Sequence, residues 1–111
     1  MDELTILWTN ADILTFDKMV AMYAKNSIIH HWWERVTLLI WGAPAKLIAE
    51  SELVEQRMQE MKQLGIRLVA CKACAEQLNV VQKLESMGIE VMYTGEMLTA
   101  LLKEDKKLLT I

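Results

Sequence analysis

The sequence has only two cysteines, two histidines, four glycines and one proline among 111 residues. Two thiols cannot build the disulfide framework of a small secreted domain, and a chain of this length forms one hydrophobic core without such staples. The net charge is -3 with the lysines and arginines scattered, which leaves no basic face for a nucleic acid. No apolar run approaches the roughly 18 residues that a membrane span requires. Met1-Asp2-Glu3 lacks the basic region and cleavage site of a signal peptide. These absences point to a cytoplasmic protein with no membrane and no direct nucleic-acid partner. Linkers, repeats and low-complexity tracts are missing as well, so residues 1–111 read as a single domain. So are a glycine-rich phosphate loop, a Gly-x-Ser-x-Gly elbow and a Ser/His/Asp set.

What is present is a 53% apolar composition arranged as strands alternating with helices. Leu4-Thr5-Ile6-Leu7-Trp8 reads as a first strand, and Thr9 to Asp12 supply capping side chains. Ile13, Phe16, Met19, Val20 and Tyr23 come next at three- and four-residue spacing, which predicts an amphipathic helix reaching Ile29. Val36 to Trp41 is a continuous apolar run, as a central strand covered on both faces would be. Gly42-Ala43-Pro44 breaks it, and Ala45 to Ala49 fit a short helical turn. A helix from Ser51 to Leu64 has Leu53, Val54, Met58, Met61 and Leu64 as its buried stripe, with Glu52, Glu55, Glu60 and Lys62 on a solvated face. Ile66–Ala70, Ile89–Tyr93 and Lys107–Ile111 complete five strands; helices are predicted over Val80–Met87 and Gly95–Lys103. Strands joined through helices imply right-handed crossovers, and hence a three-layer α/β/α sandwich on a five-stranded parallel sheet.

In such a sheet, ligands bind beyond the carboxyl ends of the strands. Four loops reach that edge, and they bring Asn10, Asp12, Trp41, Gly42, Cys71, Cys74, Thr94, Gly95 and Glu96. Asn10 and Thr94 are also suited to capping helices. Gly42 and Gly95 would let backbone approach a ligand closely. Cys71-Lys72-Ala73-Cys74 sits where the third strand gives way to a helix, so the sulfur of Cys71 would face free N–H groups and the positive end of a helix dipole. Cys74, one turn on, could resolve a disulfide or persulfide formed at Cys71. Lys72 between them could lend positive charge to the pair, but it reads first as solvated. The bland alternative for the cysteines is two small buried hydrophobes three residues apart.

Zinc sites share the Cys-x-x-Cys spacing, but one thiolate pair is half a tetrahedral site. His30 and His31 end a helix of about 18 residues, roughly 27 Å long, that starts on the carboxyl edge. That places them far from the cysteines, so neither a metal nor any other cofactor is expected. His30-His31-Trp32-Trp33 reads as a helix end packed under the sheet, or as an oligomer contact. Met19, Met22, Met58 and Met61 read as core or subunit contact.

The segments Val69-Ala70-Cys71-Lys72-Ala73-Cys74-Ala75, Leu84 to Val91 and Tyr93-Thr94-Gly95-Glu96, with Ile40-Trp41-Gly42 and Leu109-Thr110-Ile111, resemble the Cys-x-x-Cys subgroup of small DsrE/DsrF-like proteins. The resemblance covers nearly the whole chain. It implies a five-stranded parallel sheet between helices and assembly into dimers, trimers or hexamers. It also implies relay of sulfane sulfur as a cysteine persulfide between donor and acceptor proteins. On this pattern Cys71 is the relay cysteine and Cys74 the second thiol of the subgroup. Two other readings of the chain stay open, a disulfide redox sensor using the same pair and a non-catalytic ligand-binding or assembly module.

Overall fold

A computed structural model describes residues 2–111. Five strands form one sheet: β1 (Glu3–Trp8), β2 (Arg35–Ile40), β3 (Arg67–Cys71), β4 (Glu90–Met92) and β5 (Leu108–Thr110). Their order is β4-β3-β2-β1-β5, and every pairing is parallel. Helices lie on both faces, giving the three-layer α/β/α sandwich that the alternation of apolar runs predicts. The helical elements are α1 (Ile13–Thr15), a π-helical stretch (Phe16–Ala21), α2 (Met22–Ile29), α3 (Pro44–Glu50), α4 (Glu52–Gln63), α5 (Lys72–Gln77), α6 (Val81–Ser86) and α7 (Gly95–Lys103). Among the described residues, no helix is long and apolar enough to cross a membrane.

The two faces are covered unequally. Because side chains alternate along a strand, Leu4, Ile6, Trp8, Val36, Leu38, Ile40, Leu68 and Ala70 point to one side. There they meet residues of the π-helical stretch and of α2, α3, α4, α5 and α6 in a single large core. Leu7, Leu39 and Val69 point to the other side, where the apolar residues packed on them, among the described residues, are Trp41, Leu108, and Met97 and Leu98 of α7. One side of the sheet is thus thick and the other thin. Cys71 has the parity of Val69, which places it on the thin side.

The first helical segment departs from the expected stripe. Phe16, Val20, Ala21, Ala24 and Ser27 are buried, whereas Ile13 and Met19 are 41% and 40% exposed. At Met19 the π-helical turn is the cause: its extra residue per turn rotates the helix, so Val20 and Ala21 both face inward and Met19 swings out, whereas Ile13 precedes that turn and is exposed as the first residue of α1. Phe16 is anchored on the indole of Trp8, ring centroids 4.5 Å apart.

In α4, Ser51 Oγ accepts the Val54 N–H at 3.2 Å as the N-cap, and Gly65 at φ 85° closes the helix in the left-handed region. Val54, Met58 and Met61 are buried as predicted, but Leu53, the first residue of the expected stripe, is exposed. The expected solvated face is also corrected at Glu60, which pairs with Lys25 at 2.8 Å and Arg57 at 3.2 Å. Arg57 in turn binds Asp17 at 2.9 Å, so a charge chain ties the π-helical stretch to α4. Each pair is partly exposed and adds orientation more than stability. Glu55 similarly reaches Lys83 at 3.4 Å.

The His30–Trp33 tract lies at the amino end of the sheet, just before β2. Trp33 is half-buried against the main core and donates from Nε1 to the Tyr23 hydroxyl at 3.1 Å. Trp32 is exposed, with the His30 ring stacked on it at 5.3 Å. Of the four helix methionines read as core or subunit contact, Met58 and Met61 are core and Met19 and Met22 are surface.

Candidate functional site

Cys71 is the last residue of β3 and the N-cap of α5, in extended conformation at φ -64°, ψ 116°. A strand that ends directly in a helix turns its last side chain across the first helical turn, and here that side chain is a sulfur. Both cysteines are free thiols; Cys71 is buried and Cys74 half-buried. Burial acts most strongly on Cys71 and opposes its ionisation. It is outweighed by the Cys74 N–H, the Cys74 thiol, the Thr94 hydroxyl and the Ala73 N–H, which together hold the thiol below its ordinary pKa. In the neutral thiol none of the helix N–H groups is closed onto the sulfur as a capping bond. They are donors arranged around it, and a negative charge would draw on them.

Cys74 shifts the other way. Burial pushes its pKa up, and the hydrogen bond and charge of Cys71 push it further, against the Gly42 and Cys74 N–H groups. The pair is thereby differentiated, with one sulfur disposed to ionise and its neighbour disposed to stay protonated and donate. Gly42 contributes its backbone at φ 80°, a conformation that a side chain would strain.

Four of the residues read from the sequence therefore converge: Cys71, Cys74, Gly42 and Thr94. Trp41 lies on the same thin side, packed beside Leu39 and Val69. The others stand apart. Asn10 Oδ1 accepts the Asp12 N–H at 3.1 Å, and Asp12 Oδ1 accepts the Thr15 N–H at 2.8 Å. That second bond lowers the Asp12 pKa. Both residues thus shape the turn into α1. Gly95 has an ordinary φ and open space where a Cβ would be, so no close approach requires a glycine there. It lines a shallow groove along α7 with Glu96, Thr99 and Lys103.

Two features around the pair are not legible in the sequence. The Ala73 N–H is invisible to any motif of side chains. Lys72, read as solvated, is half-buried with its Nζ 5.3 Å from the centre of the Tyr93 ring, and the Tyr93 hydroxyl donates to Glu76 at 3.0 Å. This carboxylate raises the tyrosine pKa. The register Cys71↔Met92 places Lys72 and Tyr93 side by side, so the pairing of β3 with β4 is the signal that would have found them.

No family model matches the chain, and no curated protein matches it. Two solved structures are similar. One, of a conserved protein of unknown function, BT1422, from Bacteroides thetaiotaomicron, is 42% identical over 99% of this chain and 95% of that one, with a TM-score of 0.97. The other, the ychN protein from E. coli, is 16% identical over the whole of both chains with a TM-score of 0.67, a likeness of fold.

Proposed function

The chain belongs to the family of the Bacteroides thetaiotaomicron protein BT1422, and from the sequence resemblance and the geometry of its thiol pair we propose that it is a cytoplasmic DsrE-like sulfur carrier acting through Cys71. The observation that carries the reading is the differentiated pair: a buried N-cap sulfur held below its ordinary pKa beside a second sulfur held above it. The thiolate of Cys71 attacks the outer sulfur of a donor protein's cysteine persulfide. A bond forms between Cys71 Sγ and that sulfur, the donor's sulfur–sulfur bond breaks, and the donor leaves as a thiolate. No oxidant is consumed, because the electron pair of the broken bond departs with the donor. An acceptor thiolate then takes the outer sulfur in the same way, with Cys71 as the leaving thiolate. The Cys74 thiol donates to Cys71 and stabilises it at both steps.

Leu14, Met92 and Tyr93 are exposed apolar side chains on elements at the carboxyl edge of the sheet. They support contact of this edge with donor and acceptor proteins and with further copies of the chain in a homo-oligomer. The direct test is incubation with a cysteine desulfurase and cysteine, followed by intact-mass measurement. We expect an adduct of one sulfur atom, removed by a reducing thiol and mapped to Cys71. A wild-type protein that stays unmodified under these conditions sinks the proposal.

The contact between the two thiols supports a second reading, a disulfide sensor. In it a small disulfide oxidises the pair and is itself reduced to two thiols. Equilibration with glutathione separates the readings: a pair that never closes in an oxidising buffer cannot serve as a sensor.

A further inference from the structure

Thr94 stands at the N-cap of α7, where a threonine hydroxyl ordinarily accepts an N–H from the first turn. It makes no such bond, and α7 begins without a side-chain cap. The residue is 1% exposed, and among the described residues its Oγ1 has no hydrogen-bond partner. Folded proteins avoid burying an unpaired hydroxyl, so the arrangement needs a reason. The register supplies one. Met92 is the partner of Cys71 across β3 and β4, so the chain leaving β4 brings Thr94 to the same end of the sheet as Cys71 and the head of α5.

We propose that Thr94 is the positioning residue of Cys71: its hydroxyl, withheld from capping α7, is kept for the Cys71 sulfur and donates to it once the thiol has lost its proton. In the neutral thiol the buried hydroxyl lacks a partner; in the thiolate it gains an anionic one. The pairing thus favours ionisation and also fixes the direction in which the sulfur points. The Thr94 hydroxyl is among the groups that lower the Cys71 pKa.

The titratable neighbours leave this role to uncharged donors. On α5 they are Cys74, Lys72 and Glu76, of which Lys72 is held over the Tyr93 ring and Glu76 is bound by the Tyr93 hydroxyl. The loop after β4 contributes Tyr93, the first turn of α7 contributes the exposed Glu96, and the loop after β2, Trp41-Gly42-Ala43, carries no ionisable side chain. Among the described residues, the only ionisable side chain that shifts Cys71 is Cys74.

The positioning role rests on Cys71 being the reactive thiolate of the proposed carrier, not on what that thiolate carries. It is tested in the full-length protein by the rate of iodoacetamide modification of Cys71, followed by peptide mass across the pH range. Thr94→Val should slow modification at neutral pH by about tenfold and move the midpoint of the profile upward, and Thr94→Ser should restore the wild-type profile. A valine variant should be no less heat-stable than wild type at pH values below the lowered Cys71 pKa, where the thiol keeps its proton, because it also removes the unpaired oxygen. A purely structural threonine predicts the reverse, a loss of stability at every pH with Cys71 unchanged. A folded valine variant with the wild-type profile overturns the proposal. Should valine not fold, Thr94→Ser and Thr94→Ala differ only in the oxygen, and equal Cys71 rates in that pair overturn it too. If wild-type protein accepts no sulfur while the Thr94 profile holds, the carrier reading falls and the positioning role stands.

Discussion

Iodoacetamide at neutral pH modifies Cys71 faster than Cys74 although Cys71 is the more buried sulfur, and Cys71→Ala makes Cys74 the more reactive for losing its neighbour. The first half of this expectation comes from the opposite shifts of the two thiols. The second comes from their causes. Burial aside, the Cys74 pKa is raised by the hydrogen bond and charge of Cys71, and alanine removes both while the Gly42 N–H remains. The reciprocal variant behaves differently. Cys74→Ala takes one donor from the Cys71 sulfur but leaves the N–H groups of residues 73 and 74 and the Thr94 hydroxyl. Cys71 should therefore react about tenfold slower at most, whereas Cys71→Ala abolishes the fast modification and the sulfur adduct outright. Peptide mapping of the two variants checks this, and equal rates at the two sulfurs in the wild type would refute it.

The same shifts fix the pH dependence. Cys71 has a folded pKa below its unfolded value, so its contribution to stability is complete above the ordinary thiol pKa and is lost as pH falls through the lowered one. Cys74 is the opposite case, contributing below the ordinary thiol pKa and losing that contribution as pH rises through the raised one.

Phe16→Ala should cost about 3–5 kcal/mol, a large part of the roughly 5–15 kcal/mol available to a domain. Phe16 is fully buried, stacks on Trp8 and belongs to the thick core. At about 4–8 °C per kcal/mol, the thermal midpoint should fall by at least roughly 12 °C. Met19→Ala is the control. A regular α-helix would bury both residues on one stripe, but the π-helical turn exposes Met19, so its truncation should cost about 0.5 kcal/mol or less. Thermal unfolding of the two variants decides between the helices: comparable losses would mean that the turn is regular.

The strands are legible in the sequence because each is a short apolar run bounded by polar or glycine residues, and their alternation with helices carries the topology. The placement of Cys71 is legible for the same reason, since Ile66–Ala70 has the length and apolarity of a buried strand and the residues after Cys74 favour a helix. The extra residue in the π-helical turn is not, because Phe16–Ala21 has no local mark that distinguishes it from an α-helix. Nor is the Asp17–Arg57–Glu60–Lys25 chain, which joins side chains far apart in sequence. Asn10 and Asp12 have the polarity of ligand-binding residues, but their side chains are spent on the turn into α1, the capping role that such residues fill whenever a helix starts beside them. Thr94 is the converse case, at a cap position by sequence yet not capping.

The strand order has a consequence for the order of events in synthesis. β1 lies between β2 and β5, and its pairing Thr5↔Leu108 joins residues far apart in the chain, so β1 is made long before β5. As the chain grows, β1, β2, β3 and β4 can assemble with the thiol pair already in place. One flank of β1 must wait for Leu108–Ile111, whose final residue exchanges backbone hydrogen bonds with Leu7 and Thr9 at 2.8 and 2.7 Å. Until β5 is in place, the apolar strand Leu4–Trp8 presents an unpaired edge of the kind through which chains associate.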